Sequence, residues 1–265
     1  MMIHYSKNRL SGFTLAEMAI VLVIVGLLLG GMLMPIATQV QQQKATDTRK
    51  TLEQIKEALL GFAAANGRLP CPASATSAGQ ESFAGGGNAS NGLCSNFYNG
   101  FLPAATLGIM PSDGQGYAID AWGLTQNRIH YAVYTGTINA VTNPFTRTNG
   151  LRSAGINNVA ATLPLLSVCA SASGISATNC GGGLGNTLAN NVPIIIYSLG
   201  KNAANGGATL DEAANPNPGS ANNDAVFVAH DPTPANAPNG EFDDIVTWLS
   251  LNTLFSRMIM AGSLP

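Results

Sequence analysis

The stretch GFTLAEMAIVLVIVGLLLGGMLMPIA, residues 12–37, decides how the chain is read. From Met18 to Ala37 it holds no charged residue, a run of about 20, which is the length a helix needs to cross a bilayer. Before it stands MMIHYSKNRLSG, residues 1–12, whose only charges are the positive ones of Lys7 and Arg9. Positive flanks are retained on the cytoplasmic side, so the remainder of the chain is expected outside. An ordinary secretory signal places a small-residue cleavage site after a shorter apolar region. Here the small residue, Gly12, comes first, so cleavage at that point would keep the apolar segment.

Downstream, Gly26, Gly30, Gly31 and Pro35 interrupt the run. Small residues allow close helix approach in lipid, and Pro35 removes an internal hydrogen bond and is expected to kink or loosen the helix. Beyond Pro35 the pattern becomes amphipathic. Leu52, Ile55, Leu59 and Phe62 share a helical stripe with Ala45, while Lys44, Asp47, Arg49, Lys50, Glu53, Lys56 and Glu57 lie opposite. The spacings Arg49–Glu53 and Glu53–Lys56 suit side-chain pairing. Asn66-Gly67 followed by Pro70 ends the helix, which is predicted over about 14–66.

The order Gly12, Phe13, Thr14, Leu15, Ala16, Glu17 and then an apolar helix resembles the type IV prepilin family. The resemblance implies that a membrane prepilin peptidase cuts between Gly12 and Phe13 and that the Phe13 amine is methylated. It also implies that Glu17 pairs with the N-terminal amine of a neighbouring subunit and sets the register of assembly. Taken by itself, Glu17 reads equally as an ordinary acid at a helix start, favoured there by the helix dipole. The architecture implied is an α+β, pilin-like lollipop: a long helix packed on a small antiparallel sheet, with a loop-rich insertion and a short C-terminal helix. Its segments are a leader 1–12, a transmembrane and filament-core helix 13–37, an amphipathic half 38–66 and a globular head 67–265.

Only 10% of the 265 residues are charged, and the net charge is −2. Such a surface offers no basic field for a polyanion, so no nucleic-acid partner is expected. The four cysteines, Cys71, Cys94, Cys169 and Cys180, form no CxxC and have no histidine at zinc-ligand spacing. In an exported head they read as two disulfides. Three pairings are open; the local one, Cys71–Cys94 with Cys169–Cys180, is preferred, and four buried thiols is the alternative.

In the head, Arg128 to Tyr134 alternates as a strand, with Ile129, Tyr131 and Val133 on one face. Residues 71–100 read as loop, and 137–190 as a patternless insertion. Val192–Leu199, Ala225–Ala229 and Asp244–Leu251 read as strands, followed by an amphipathic helix through Leu254, Phe255 and Met258 that Ser250 caps. Asp120-Ala121-Trp122-Gly123 resembles the turn before the sheet in major pseudopilins of type II secretion, with Ala121 where that family has proline. Tyr197-Ser198-Leu199-Gly200, followed later by Asp243-Asp244-Ile245 and Trp248, resembles their C-terminal region. That resemblance implies a calcium ion held by the Leu199 carbonyl, by Asp243 and Asp244, and at position 202, where Asn202 stands in place of an aspartate. Calcium takes six to eight oxygens. Without the resemblance, Asp243 and Asp244 read as a solvated turn leading into a strand.

No catalytic motif is present. His4 falls in the leader, His130 on a strand face and His230 in a loop; there is no Gly-x-Ser-x-Gly or His-Glu-x-x-His, and Gly85–Gly87 and Gly181–Gly183 lack the Lys-Ser/Thr of a phosphate loop. Adjacent Asp243 and Asp244 would point to opposite faces of a strand and so serve poorly as an acid–base pair. No enzyme is expected and no cofactor is required. The leading expectation is a structural subunit, major or minor, of a type IV pilus-like filament. Its partners would be prepilin peptidase, identical or related pilin subunits, an inner-membrane assembly platform and, before assembly, the lipid bilayer. It would be a single-pass protein of the bacterial inner membrane, with a cytoplasmic N-terminus and a periplasmic head, and later part of a periplasmic or cell-surface filament. The alternatives are a pseudopilin of a type II secretion system and a membrane-anchored adhesin or binding protein.

Overall fold

The computed structural model describes residues 12, 14–181, 185–205, 209–215 and 224–265. The side chains of 29–37 lie outside that description, as do most of the predicted leader (1–11) and Phe13. The fold is α+β, and internal contacts divide the chain into Met1–Gln43 and Lys44–Pro265.

Helix α1 spans Leu15–Asn66 and continues through Pro35. In the first unit its described apolar side chains face outward: Leu15, Leu22 and Leu27 are 92%, 68% and 73% exposed. Among the described residues no helix is long and apolar enough to cross a membrane. The apolar stretch that remains once residues 29–37 are set aside falls short of the roughly 20 residues that a bilayer requires.

Within the second unit, α1 buries the stripe expected of it. Leu52, Ile55 and Leu59 are sealed in the main core together with Leu60 and Ala63. On the outer face Glu53 pairs with Lys56 (2.9 Å) rather than with Arg49. The helix closes on Gly67, whose φ of +65° suits glycine and whose amide donates to the Ala63 carbonyl.

Four strands form the first sheet: β1 (Gly100–Phe101), β2 (His130–Val133), β7 (Ile194–Ser198) and β9 (Ile245–Leu249), in the order β1-β2-β7-β9 and all antiparallel. A short helix α2 (Ala104–Leu107) follows β1, and a hairpin β3 (Thr137–Ile138) and β4 (Val141–Thr142) leads to helices α3 (Gly150–Ala154) and α4 (Ile156–Ala161). The second sheet has the order β6-β5-β8, from β5 (Leu166–Cys169), β6 (Thr187–Val192) and β8 (Val226–Val228); β5 runs antiparallel to β6 and parallel to β8. The segment 137–190, expected to lack pattern, therefore contributes two of these three strands. The head is not a single antiparallel sheet. Helix α5 (Leu251–Met260) closes the chain, and the Ser250 hydroxyl accepts from the Thr253 amide as its cap.

The layers explain the composition of β7. Ile194 and Ile196 face α1 and α5 together with Tyr131, Val133, Leu249 and Leu254. Ile195 and Tyr197 face the second sheet with Val168 and Phe227. Both faces are covered, so the strand reads as an unbroken apolar run. Between β6 and β7 only Pro193 intervenes; it cannot donate to a ladder, and there the chain passes from one sheet to the other.

Candidate functional site: the helix start and a buried carboxylate cluster

The start of α1 is capped by its own residues. Thr14 donates through its amide and its hydroxyl to Glu17 Oε2 (both 2.8 Å), and the Glu17 amide donates back to the Thr14 hydroxyl (3.3 Å). This is a reciprocal capping box. In the single chain Glu17 thus serves as a helix-start acid. Its predicted partner amine belongs to Phe13, outside the described residues. Gly12 is exposed, and a Cβ added there would meet nothing within 4 Å, so this chain's own packing does not require glycine at that position.

The second site lies in the head, where the end of β7 meets the start of β9. Asp243 and Asp244 precede β9 rather than lie within it, so strand alternation does not separate them. One carboxylate oxygen from each, and one from Glu212, all lie within 4.8 Å of one another. Each arm has a local cause. Glu212 begins a 3-10 turn, Glu212–Ala214, anchored at both ends. On one side Asp211 accepts from the Ala172 amide (2.6 Å), Asn239 and the Ser171 hydroxyl, and lies 3.2 Å from His230 Nε2. On the other, Asn215 bonds the Val228 backbone in both directions and donates to Asp244 Oδ2 (2.7 Å). Gly200, with φ of +66°, lets the chain leave β7 against Asp243; a Cβ there would overlap the Asp243 carboxylate and carbonyl.

The electrostatics of the cluster are unfavourable as it stands. Both Asp243 oxygens are buried with no hydrogen-bond partner of normal geometry, although the Lys201 charge and the Asn202 backbone amide lie near enough to favour the charged form. Burial, reinforced by the Glu212 charge, pushes the Asp243 pKa up to about 6. Burial pushes Asp244 well above the carboxylate range, against the bond from Asn215. A buried, unpartnered carboxylate beside two others is costly unless a cation joins them. Oxygens at 2.3–2.6 Å from calcium stand at most about 5 Å apart, and an all-oxygen carboxylate set suits a hard divalent cation. The residues therefore fit the metal that the resemblance implies.

Of the predicted ligands, the structure brings Asp243 and Asp244 together and buries Leu199 just before Gly200. Asn202 does something else: its amide donates to both oxygens of Glu212, at 3.0 and 3.2 Å. Glu212 itself was missed. The signal available was its position beside Asp211 in a loop of a chain with very few charges.

The two disulfides join Cys71 to Cys94 and Cys169 to Cys180.

Residues 7–33 match the family model described as the prokaryotic N-terminal methylation motif. The match supports a protein of the type IV prepilin or pseudopilin type. It ends within α1 and does not reach the head. Comparison with curated proteins and with solved structures returns no match.

Proposed function

We propose that the chain is a structural subunit of a type IV pilus-like filament, cut after Gly12 by prepilin peptidase, methylated at Phe13 and assembled through α1. The carrying observation is the methylation motif at residues 7–33, set on a helix whose described apolar side chains from Leu15 to Leu28 are open. An exposed apolar surface of this extent marks a contact with lipid or protein. On this reading the bilayer covers it first, in a single-pass inner-membrane protein with a periplasmic head, and neighbouring subunits cover it after an assembly platform extracts the chain. Glu17 then exchanges its Thr14 partners for a neighbour's amine. The mature protein is expected to begin at methylated Phe13. Glu17→Ala is expected to be inserted and cleaved normally yet to be lost from sheared or purified filaments; normal incorporation would reduce Glu17 to its capping role.

The carboxylate cluster between β7 and β9 favours a second reading, a pseudopilin of a type II secretion system, because it lies where the pseudopilin resemblance puts calcium. On either reading Asp243 and Asp244 hold calcium and tie the start of β9 to the end of β7. Calcium at a hundred times its dissociation constant would stabilise the fold by about 2.7 kcal/mol. Chelation should then lower the melting temperature by roughly 5–10 °C. An unchanged melting curve with and without chelator would remove the calcium site.

A further inference from the structure

The geometry points to a division of labour that the positions 199, 202, 243 and 244 do not contain. We propose that Glu212 supplies the third carboxylate of the cation site and that Asn202 is its positioning residue, holding Glu212 in place instead of binding the ion. The proposal rests on the calcium reading above and assigns roles within it.

Three observations carry it. First, Glu212 is buried (1% exposed) and is the residue that joins Asp243 and Asp244 within ligand distance of one another. Second, its orientation is fixed from outside the site. Asn202 donates to both of its oxygens, and the Asp243 amide donates to Oε1 at 3.0 Å. A carboxylate has about four lone-pair positions, so these three bonds leave Oε2 with capacity to spare. Third, both oxygens of Asp243 are buried and make no hydrogen bond of normal geometry; only the Asn202 backbone amide and the Lys201 charge lie near enough to favour the ionised form. Here the neighbouring side chains bring a second and a third acceptor, with the Lys201 charge as the nearby counterweight, and a bound cation would relieve the repulsion that remains.

The pairing also accounts for the neutral residue at 202. An aspartate there would face the Glu212 carboxylate directly and repel it. Asparagine removes that repulsion and donates, while the charge arrives from the 3-10 turn held by Asp211 and Asn215. Ligand-orienting partners of this kind typically contribute 10–100-fold to metal affinity.

The test uses the full chain in detergent micelles, with calcium titrated calorimetrically and melting followed in chelator and in calcium. Glu212→Gln is expected to weaken calcium binding at least about tenfold while melting in chelator no lower than the parent, because a like charge has left the cluster. A purely structural Glu212 would give the reverse, a lower melting temperature in chelator and an unchanged affinity, and that result overturns the proposal. Asn202→Ala should weaken binding about tenfold. The exchange Asn202→Asp with Glu212→Gln, which keeps the hydrogen bond and one carboxylate, should recover most of the loss. A double variant no better than Glu212→Gln would deny that the two residues act as a pair. If the parent itself fails to bind calcium, the calcium reading falls first and this proposal falls with it. If the parent binds and Glu212→Gln binds equally well, only this proposal fails.

Discussion

Arg68→Ala is expected to cost the head about 3–5 kcal/mol, the usual penalty for breaking a buried ion pair by removing one partner. Arg68 follows the end of α1 and is 6% exposed. Its guanidinium reaches Glu81 with both arms, at 2.8 and 2.7 Å, and also donates to the Leu69 carbonyl. Its guanidinium carbon lies 5.2 Å from the centre of the Phe62 ring and 5.7 Å from that of Phe83. Glu81 in turn accepts from the amide of Cys71, so the pair fixes the disulfide loop to the helix end. Removing Arg68 leaves the Glu81 carboxylate partly buried and uncompensated. Arg68→Lys cannot reproduce the two-armed contact or the ring stacking and should lose a large part of the same energy. Denaturant unfolding reads the loss. The double replacement Arg68→Met with Glu81→Met should be milder than Arg68→Ala, since no charge is then stranded. A double variant worse than the single one would contradict this account.

His130 should make the head sensitive to acid. It lies in β2 with its Nδ1 unpartnered, its ring 4.8 Å from Tyr197 and 5.1 Å from Phe101. Burial pushes its pKa down from 6.5 to about 3. The unfolded chain therefore takes up a proton as pH falls through 6.5 while the folded chain does not, so stability is lost from there down to about pH 3. The loss from this group is about 2 kcal/mol at pH 5 and about 3 kcal/mol at pH 4. Asp243 acts with the opposite sign when no cation is bound, because its raised pKa costs stability as pH rises from 3.8 to about 6. The comparison that isolates His130 is the stability of His130→Phe minus that of the parent, since the carboxylates cancel. That difference should grow by about 2 kcal/mol in favour of the variant between pH 7 and pH 5. Parallel pH profiles for the two proteins would overturn it.

The same residues show what the sequence alone discloses. The run from Met18 and the stripe Leu52–Ile55–Leu59 are strictly periodic, and periodicity is local, so α1 was legible almost to its ends. Strand β6 was not. Its sequence TLANNV is mostly exposed, and what makes it a strand is its pairing with β5. The parallel partner β8 lies far along the chain, and nothing in Val226–Val228 itself names β5. His130 stood at a position that alternation assigns to solvent, yet the second sheet covers that face and buries it. At the carboxylate cluster the sequence disclosed Asp243 and Asp244, which neighbour one another. Glu212 reaches them through the bonds of Asp211 and Asn215 to other elements and through those it accepts from Asn202 and the Asp243 amide, and its place beside Asp211 does not say which elements these are.

The passage of the chain through Pro193 has a consequence for how the head comes apart. Strands β6 and β7 are two halves of one extended segment, and the β7 half is the most heavily paired element of the first sheet, bonded to β2 on one side and β9 on the other. The second sheet cannot peel away without pulling on that segment, and the first cannot loosen without releasing the edge that the second is built on. The two layers are therefore tied through one strand segment, and loosening either strains the other.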